Sequence, residues 1–166
     1  MAIVDSLIME LEQEAATTRR VLERVPTNKL AWKPHIKSMS LGELALHVAS
    51  NPGQIAEFAR GTSFELPDFG PQPTASSTDE LISVHDKGVA TAKAQLKTFD
   101  DAAMMVNWSL TKGGKTLFSM PRVGLIRTIM LNHWYHHRGQ LSVYLRELDV
   151  PVPSIYGPSA DENPFA

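Results

Sequence analysis

Apolar residues recur at helical spacing in four long stretches of this chain, and segments rich in proline and glycine separate them. A stripe that repeats every ~3.6 residues must be buried against another surface, so four such stripes call for helices packed on one another. The first runs from Ile3 to about Arg24, with Val4, Leu7, Ile8, Leu11, Ala15, Val21 and Leu22 on one face, and Pro26 ends it. The second opens at Ser40-Leu-Gly-Glu43, a capping box in which hydroxyl and carboxylate each satisfy a free backbone N–H. It continues through Leu44, Ala45, Val48, Ile55 and Ala59. Asn51-Pro52-Gly53 predicts a kink there, or a break followed by a second short helix to about Arg60. The third follows Ser77-Thr78-Asp79-Glu80 and reaches about Lys97; the fourth follows Pro121 and spans Arg122 to about Leu148.

Residues 61–76 read as loop. Between the third and fourth helices Val106, Trp108 and Leu110 alternate with polar residues, then come Gly113-Gly114 and a short apolar-rich run to Met120. That pattern predicts a small β-hairpin. The connections run to about 14, 16 and 22 residues, longer than tight helix–helix turns, so crossovers are allowed. The expectation is an all-α four-helix bundle with long crossover connections and one small β-hairpin between helices three and four. Residues 1–166 form a single domain, with 150–166 an extended C-terminal tail.

Composition narrows the chemistry. Of 166 residues, 43% are apolar and 20% charged, an ordinary globular balance. The net charge of −2 argues against nucleic acid as a partner. The start lacks a basic n-region and no stretch approaches the ~20 apolar residues of a membrane span, so a cytoplasmic location without membrane contact is expected. There is no cysteine, which excludes disulfides, thiolate metal sites and a cysteine nucleophile. Any metal must be held by the six histidines, by carboxylates or by carbonyls.

The stretch Asn132-His-Trp-Tyr-His-His-Arg-Gly-Gln140 is the informative one. At about 100° per residue, counted from Ile126, His133 and His137 fall about 20° either side of the apolar seam and His136 lies at its margin. Arg138 projects away, toward the surface or a subunit contact. Two imidazoles one turn apart can aim at one cation. Without a cation, a pair facing the core needs carbonyl or carboxylate partners, because unpartnered buried polar groups are costly. A further ligand must come from another helix. His47 sits at the edge of the apolar face of helix two; His85 sits centrally on helix three, and periodicity narrowly favours it. Glu43 and Asn51 flank His47 by one turn each and are placed to orient it, while Gln140 lies one turn beyond His137 on the pocket side.

Met39-Ser-Leu-Gly-Glu-Leu-Ala-Leu-His-Val-Ala49, together with His133-Trp-Tyr-His-His137-Arg-Gly-Gln, resembles the DinB family of YfiT-like metal-dependent proteins. Trp32-Lys-Pro-His35 and the Ile-Tyr-Gly-Pro tail are similar to members of it as well. The resemblance implies a four-helix bundle and a metal site joining one histidine of helix two to the HxxxH pair, that is His47, His133 and His137. His85 then becomes a neighbouring or pocket residue or an extra ligand. Three neutral imidazoles suit Zn, Ni or Fe(II) and leave a position open. The resemblance further implies a metal-dependent enzyme acting on a small-molecule substrate. One form is a transferase or isomerase using a low-molecular-weight thiol; the other is a hydrolase. The alternative is a non-catalytic protein with a structural or sensing metal. Family members often form homodimers through helix faces, which this sequence permits.

Overall fold

The computed structural model describes residues 2–68 and 70–165. Helix α1 (Ile3–Leu22) buries Val4, Leu7, Leu11, Ala15, Thr18 and Leu22. After a 3₁₀ turn at Thr27–Lys29, α2 (Leu41–Phe58) begins at the capping box: Glu43 N–H donates to Ser40 Oγ at 3.1 Å, and Ser40 N–H to Glu43 Oε2 at 2.6 Å. Helix α3 (Thr78–Leu96) has Ser77 as its N-cap, with Glu80 N–H donating to Ser77 Oγ at 3.1 Å, while the Glu80 carboxylate accepts from Ser76 N–H at 2.7 Å. The short α4 (Asp101–Met105) leads into the strands β2 (Asn107–Lys112) and β3 (Lys115–Pro121).

Helix α2 runs unbroken through Pro52, so the expected break into two helices is absent. Proline removes the N–H that would bond the carbonyl four residues earlier, which is that of Val48. Trp134 supplies the missing donor, its indole N–H reaching the Val48 carbonyl at 2.8 Å. Immediately after Pro52, α2 and α3 approach so closely that a Cβ on Gly53 would lie 2.8 Å from the Gly88 Cα.

β2 and β3 pair antiparallel, with Trp108 opposite Met120. Gly113 and Gly114 have φ of 57° and 74°, the two positive values that a tight hairpin turn of this twist requires. Within 61–76, read above as loop, Ser63–Glu65 forms a strand (β1) parallel to β2, giving the order β1-β2-β3. Three residues with a single apolar member carry no periodic signal; β1 forms because β2 offers an edge with unpaired backbone groups. The protein is therefore mostly helical with a small three-stranded sheet, rather than all-α.

The C-terminal rod starts as α5 (Arg122–Leu125), becomes π-helical over Ile126–Asn132 and continues as α6 (His133–Glu147). π-type bonding spans one residue more than α-type, as in the bond from His133 N–H to the Thr128 carbonyl. Every later side chain is thereby set back by one position, about 100°. The buried face accordingly follows Ile126, Met130, Leu131, Trp134, Arg138, Leu141 and Leu145, one residue beyond the seam a regular helix would present. Two expectations fail for this reason. His133 and His137 stand half-buried at the border of the core instead of in mid-seam. Arg138, expected outside, is 1% exposed. It pairs with Glu14 Oε2 at 2.6 Å and donates to Thr18 Oγ1 at 3.0 Å and to the Tyr156 hydroxyl at 2.6 Å. Tyr156 in turn donates to Glu14 Oε2 at 2.9 Å, which ties the extended tail after Asp149 to α1 and α6. No described helix is long and apolar enough to cross a membrane.

Candidate metal centre

Two elements build the site. α2 carries His47 one turn past the capping box, and α6 carries His133 and His137 one turn apart. The rod and α2 are joined just beside them: the Trp134 bond to Val48 described above, and Asn51 Nδ2 donating to the Met130 carbonyl at 2.7 Å. These two buried bonds set the rotation and height of α6 against His47.

The three imidazoles converge. One ligand nitrogen from each lies within 4.8 Å of the other two. His47 Nε2 is 2.9 Å from His133 Nε2. Ring centroids are 4.3 Å apart for His133 and His137, and 4.6 Å for His47 and His137. Two nitrogens bound to one tetrahedral zinc at ~2.0–2.1 Å stand about 3.3 Å apart; the His47–His133 pair, hydrogen-bonded here, is somewhat closer and would have to part by about 0.4 Å to share a cation.

The electrostatics agree. Burial, then the neighbouring His137 and His133, push the pKa of His47 down to about 4. Burial and the adjacent imidazoles lower His133. Burial lowers His137 too, opposed by its bond to Gln140. All three are neutral at pH 7, the form that binds metals. His137 Nδ1 lies 2.7 Å from Gln140 Oε1. An amide oxygen only accepts, so Nδ1 carries the proton and Nε2 keeps its lone pair for the cluster.

The other residues singled out from sequence take separate places. His85 is 2% exposed on α3, bonded through Nδ1 to Asp86 at 3.0 Å, with its ring 6.0 Å from Trp134 and outside the histidine cluster. His136 is exposed, its ring 4.9 Å from that of His137. Asn51 bonds the Met130 carbonyl and so orients the rod rather than His47. Glu43 is engaged in the capping box and with Lys33 at 3.5 Å. His35 lies exposed in the loop before α2. Sequence reasoning missed Trp134 and Arg138 as positioning residues. Pro52 was the available signal for the first, since it advertises an unsatisfied carbonyl on Val48.

Two clefts flank the cluster. One, of about 240 Å³, is lined by Lys37, Met39, Leu44, His137, Gln140 and Tyr144. The other, of about 110 Å³, is lined by residues including Glu43, His47, Ser50 and Gln54. A three-histidine centre between two clefts has room for exogenous ligands.

The model of the DinB family matches residues 3–164. The chain belongs to the DinB family. It is 26% identical over 165 residues to the uncharacterized protein YrdA of Bacillus subtilis (strain 168), covering 96% of this chain and 91% of that one. Among solved structures, a DinB-like protein from Bacillus cereus ATCC 10987 superposes with a TM-score of 0.72 at 20% identity, covering 93% of this chain and 98% of that one. The DinB-like protein YjoA of Bacillus subtilis superposes with a TM-score of 0.66 at 18% identity, covering 88% and 95%. These likenesses support the DinB-like fold.

Proposed function

We propose that His47, His133 and His137 hold one divalent cation (Zn, Ni or Fe(II)) and that the chain is a metal-dependent enzyme acting on a small molecule. The observation that carries this reading is the convergence of three neutral imidazoles from two helices, one with its tautomer set by Gln140. Three protein ligands leave at least one coordination position for an exogenous molecule. The packing of α1 on α3 and α6, and of α2 on α3 and α6, supports a four-helix bundle as the frame of the site.

When bound, the cation supplies Lewis acidity that lowers the pKa of a coordinated thiol or water. The residues of the chain do the rest. Gln140 holds His137 in the ligating tautomer, while Trp134 and Asn51 hold α6 at the right height against His47. The one carboxylate that lines the two clefts, Glu43, is engaged in the capping box and with Lys33, so it is not free to serve as the general base of a hydrolase. This favours transfer or isomerisation with a low-molecular-weight thiol as the exogenous ligand. With no cysteine in the chain, a thiolate at the site must come with a cofactor or substrate.

The test is metal analysis of untagged protein beside a His133→Ala/His137→Ala variant. About one equivalent in the wild type and loss in the variant is expected; equal, negligible metal in both sinks the site. Melting with a chelator then separates roles. An enzyme centre keeps its fold when stripped, whereas a structural staple unfolds.

A further inference from the structure

A further concavity, distinct from the two clefts at the histidines, lies between α2, the sheet and the π-helical segment, with a volume of about 190 Å³. Its walls include Ile55 and Phe58 of α2, Phe64 of β1, Trp108 and Phe118 of β2 and β3, and Ile129 of the rod. Every lining residue is apolar. The one polar group these side chains bring, the Trp108 indole N–H, is spent on the Phe58 carbonyl at 3.0 Å. Phe58 and Phe64 stack at 3.8 Å, and Trp108 and Phe118 lean together at 6.2 Å, so aromatic pairs brace the walls.

The concavity is open to solvent on one side, and its volume exceeds about 150 Å³, the size at which an enclosed apolar cavity takes up benzene. The pocket also has a defined relation to the histidines. Ile55 is two helical turns beyond His47 on α2, about 12 Å along the axis, and Ile129 is four residues before His133 on the rod. Asn51 and Met130, bonded to each other, occupy the interval. The imidazoles and the apolar pocket thus lie on the same two elements, with buried side chains between them and no lining residue in common, so a molecule that reaches both passes outside Asn51 and Met130.

We propose that this pocket binds one aromatic ring or a short branched alkyl group, and that it seats the apolar end of the molecule whose polar end reaches the three histidines. The first part stands on the pocket alone; the second rests on the metal-centre reading.

Toluene is the probe for the first part. It binds saturably to the wild type, seen as chemical-shift changes confined to pocket residues, and equally to the His133→Ala/His137→Ala variant. Ile129→Phe or Leu110→Trp, which fill the space from the rod and from the sheet, weaken it by about tenfold, with helical circular dichroism and melting used to confirm folding. No saturable binding, binding that neither folded variant weakens, or binding lost with the histidines overturns the pocket. For the second part, metal-loaded protein is titrated with 6-phenylhexanethiol, long enough to span both ends. It binds about tenfold or more tightly than toluene or ethanethiol, and Ile129→Phe abolishes the difference. Affinity no better than that of the stronger fragment overturns the shared site. Failure of the metal-centre reading shows separately, as wild-type protein that takes up no metal.

Discussion

The indole N–H of Trp134 occupies the Val48 carbonyl at 2.8 Å, in place of the backbone donor that Pro52 lacks. A proline in α2 and a tryptophan in α6 therefore form one device. The first frees an acceptor on the helix of His47, and the second plugs into it from the helix of His133 and His137.

This pairing predicts a specific coupling. Trp134→Phe leaves a buried carbonyl without a donor and costs about 1–3 kcal/mol, added to any loss of packing. In a Pro52→Ala background the helix regains its own N–H donor to Val48, so the same substitution costs less. Denaturant unfolding of the four proteins of the cycle measures the difference. Equal costs in both backgrounds would show that the bond does not couple the helices.

Gln140 is expected to tune metal affinity without touching the metal. Gln140→Leu removes the acceptor of His137 Nδ1–H and lowers affinity by about 10–100-fold, in the range known for partners of ligating histidines. Gln140→Glu keeps an acceptor and retains binding. Competition with a chromophoric chelator reads both. Unchanged affinity in the leucine variant would remove Gln140 from the site.

The stripped protein should lose stability in mild acid. His47 titrates at its ordinary 6.5 when unfolded and at about 4 when folded, mainly because it is buried, so the unfolded chain binds the proton first. The stabilisation is complete above pH ~6.5 and is lost as pH falls toward ~4; His133 and His137, also lowered by burial, add in the same direction. Carboxylates held low, such as Glu43 and Asp161, come into play only below their ordinary values of 4.5 and 3.8. Melting temperature with chelator present should therefore drop between pH 6.5 and 4.5, and His47→Gln should flatten the drop. A flat profile in the wild type would refute the assignment.

Arg138 shows where sequence reading loses hold. Nothing in a periodic count announces an arginine in the core, and its acceptance there depends on Glu14, Thr18 and Tyr156, drawn from the far ends of the chain. A lone buried charge would be prohibitive, but one with an ion pair and several acceptors is tolerated. The same count put His136 beside the seam, and the π-helical segment turned it out to solvent. The choice between His47 and His85 was likewise beyond periodicity, which leaned to His85. Resemblance pointed to His47, and it is His47 that lies against the pair on α6.

The features legible in the sequence are those governed by neighbours a few residues apart. They are the capping box at Ser40 and the N-cap at Ser77, the glycine pair of the hairpin turn, the helical stripes, and the one-turn spacing that puts His133 beside His137. Local hydrogen bonds and backbone preferences determine these without help from the rest of the chain. Only the tertiary structure decided the rest: β1, the continuity of α2 through Pro52, the π-type register of the rod, and the burial of Arg138. Each depends on a donor, an acceptor or an apolar surface supplied by a segment far away in sequence. No window of neighbouring residues contains that partner, and so none can foretell that the register slips by one residue and sets His133 and His137 at the border of the core, against His47.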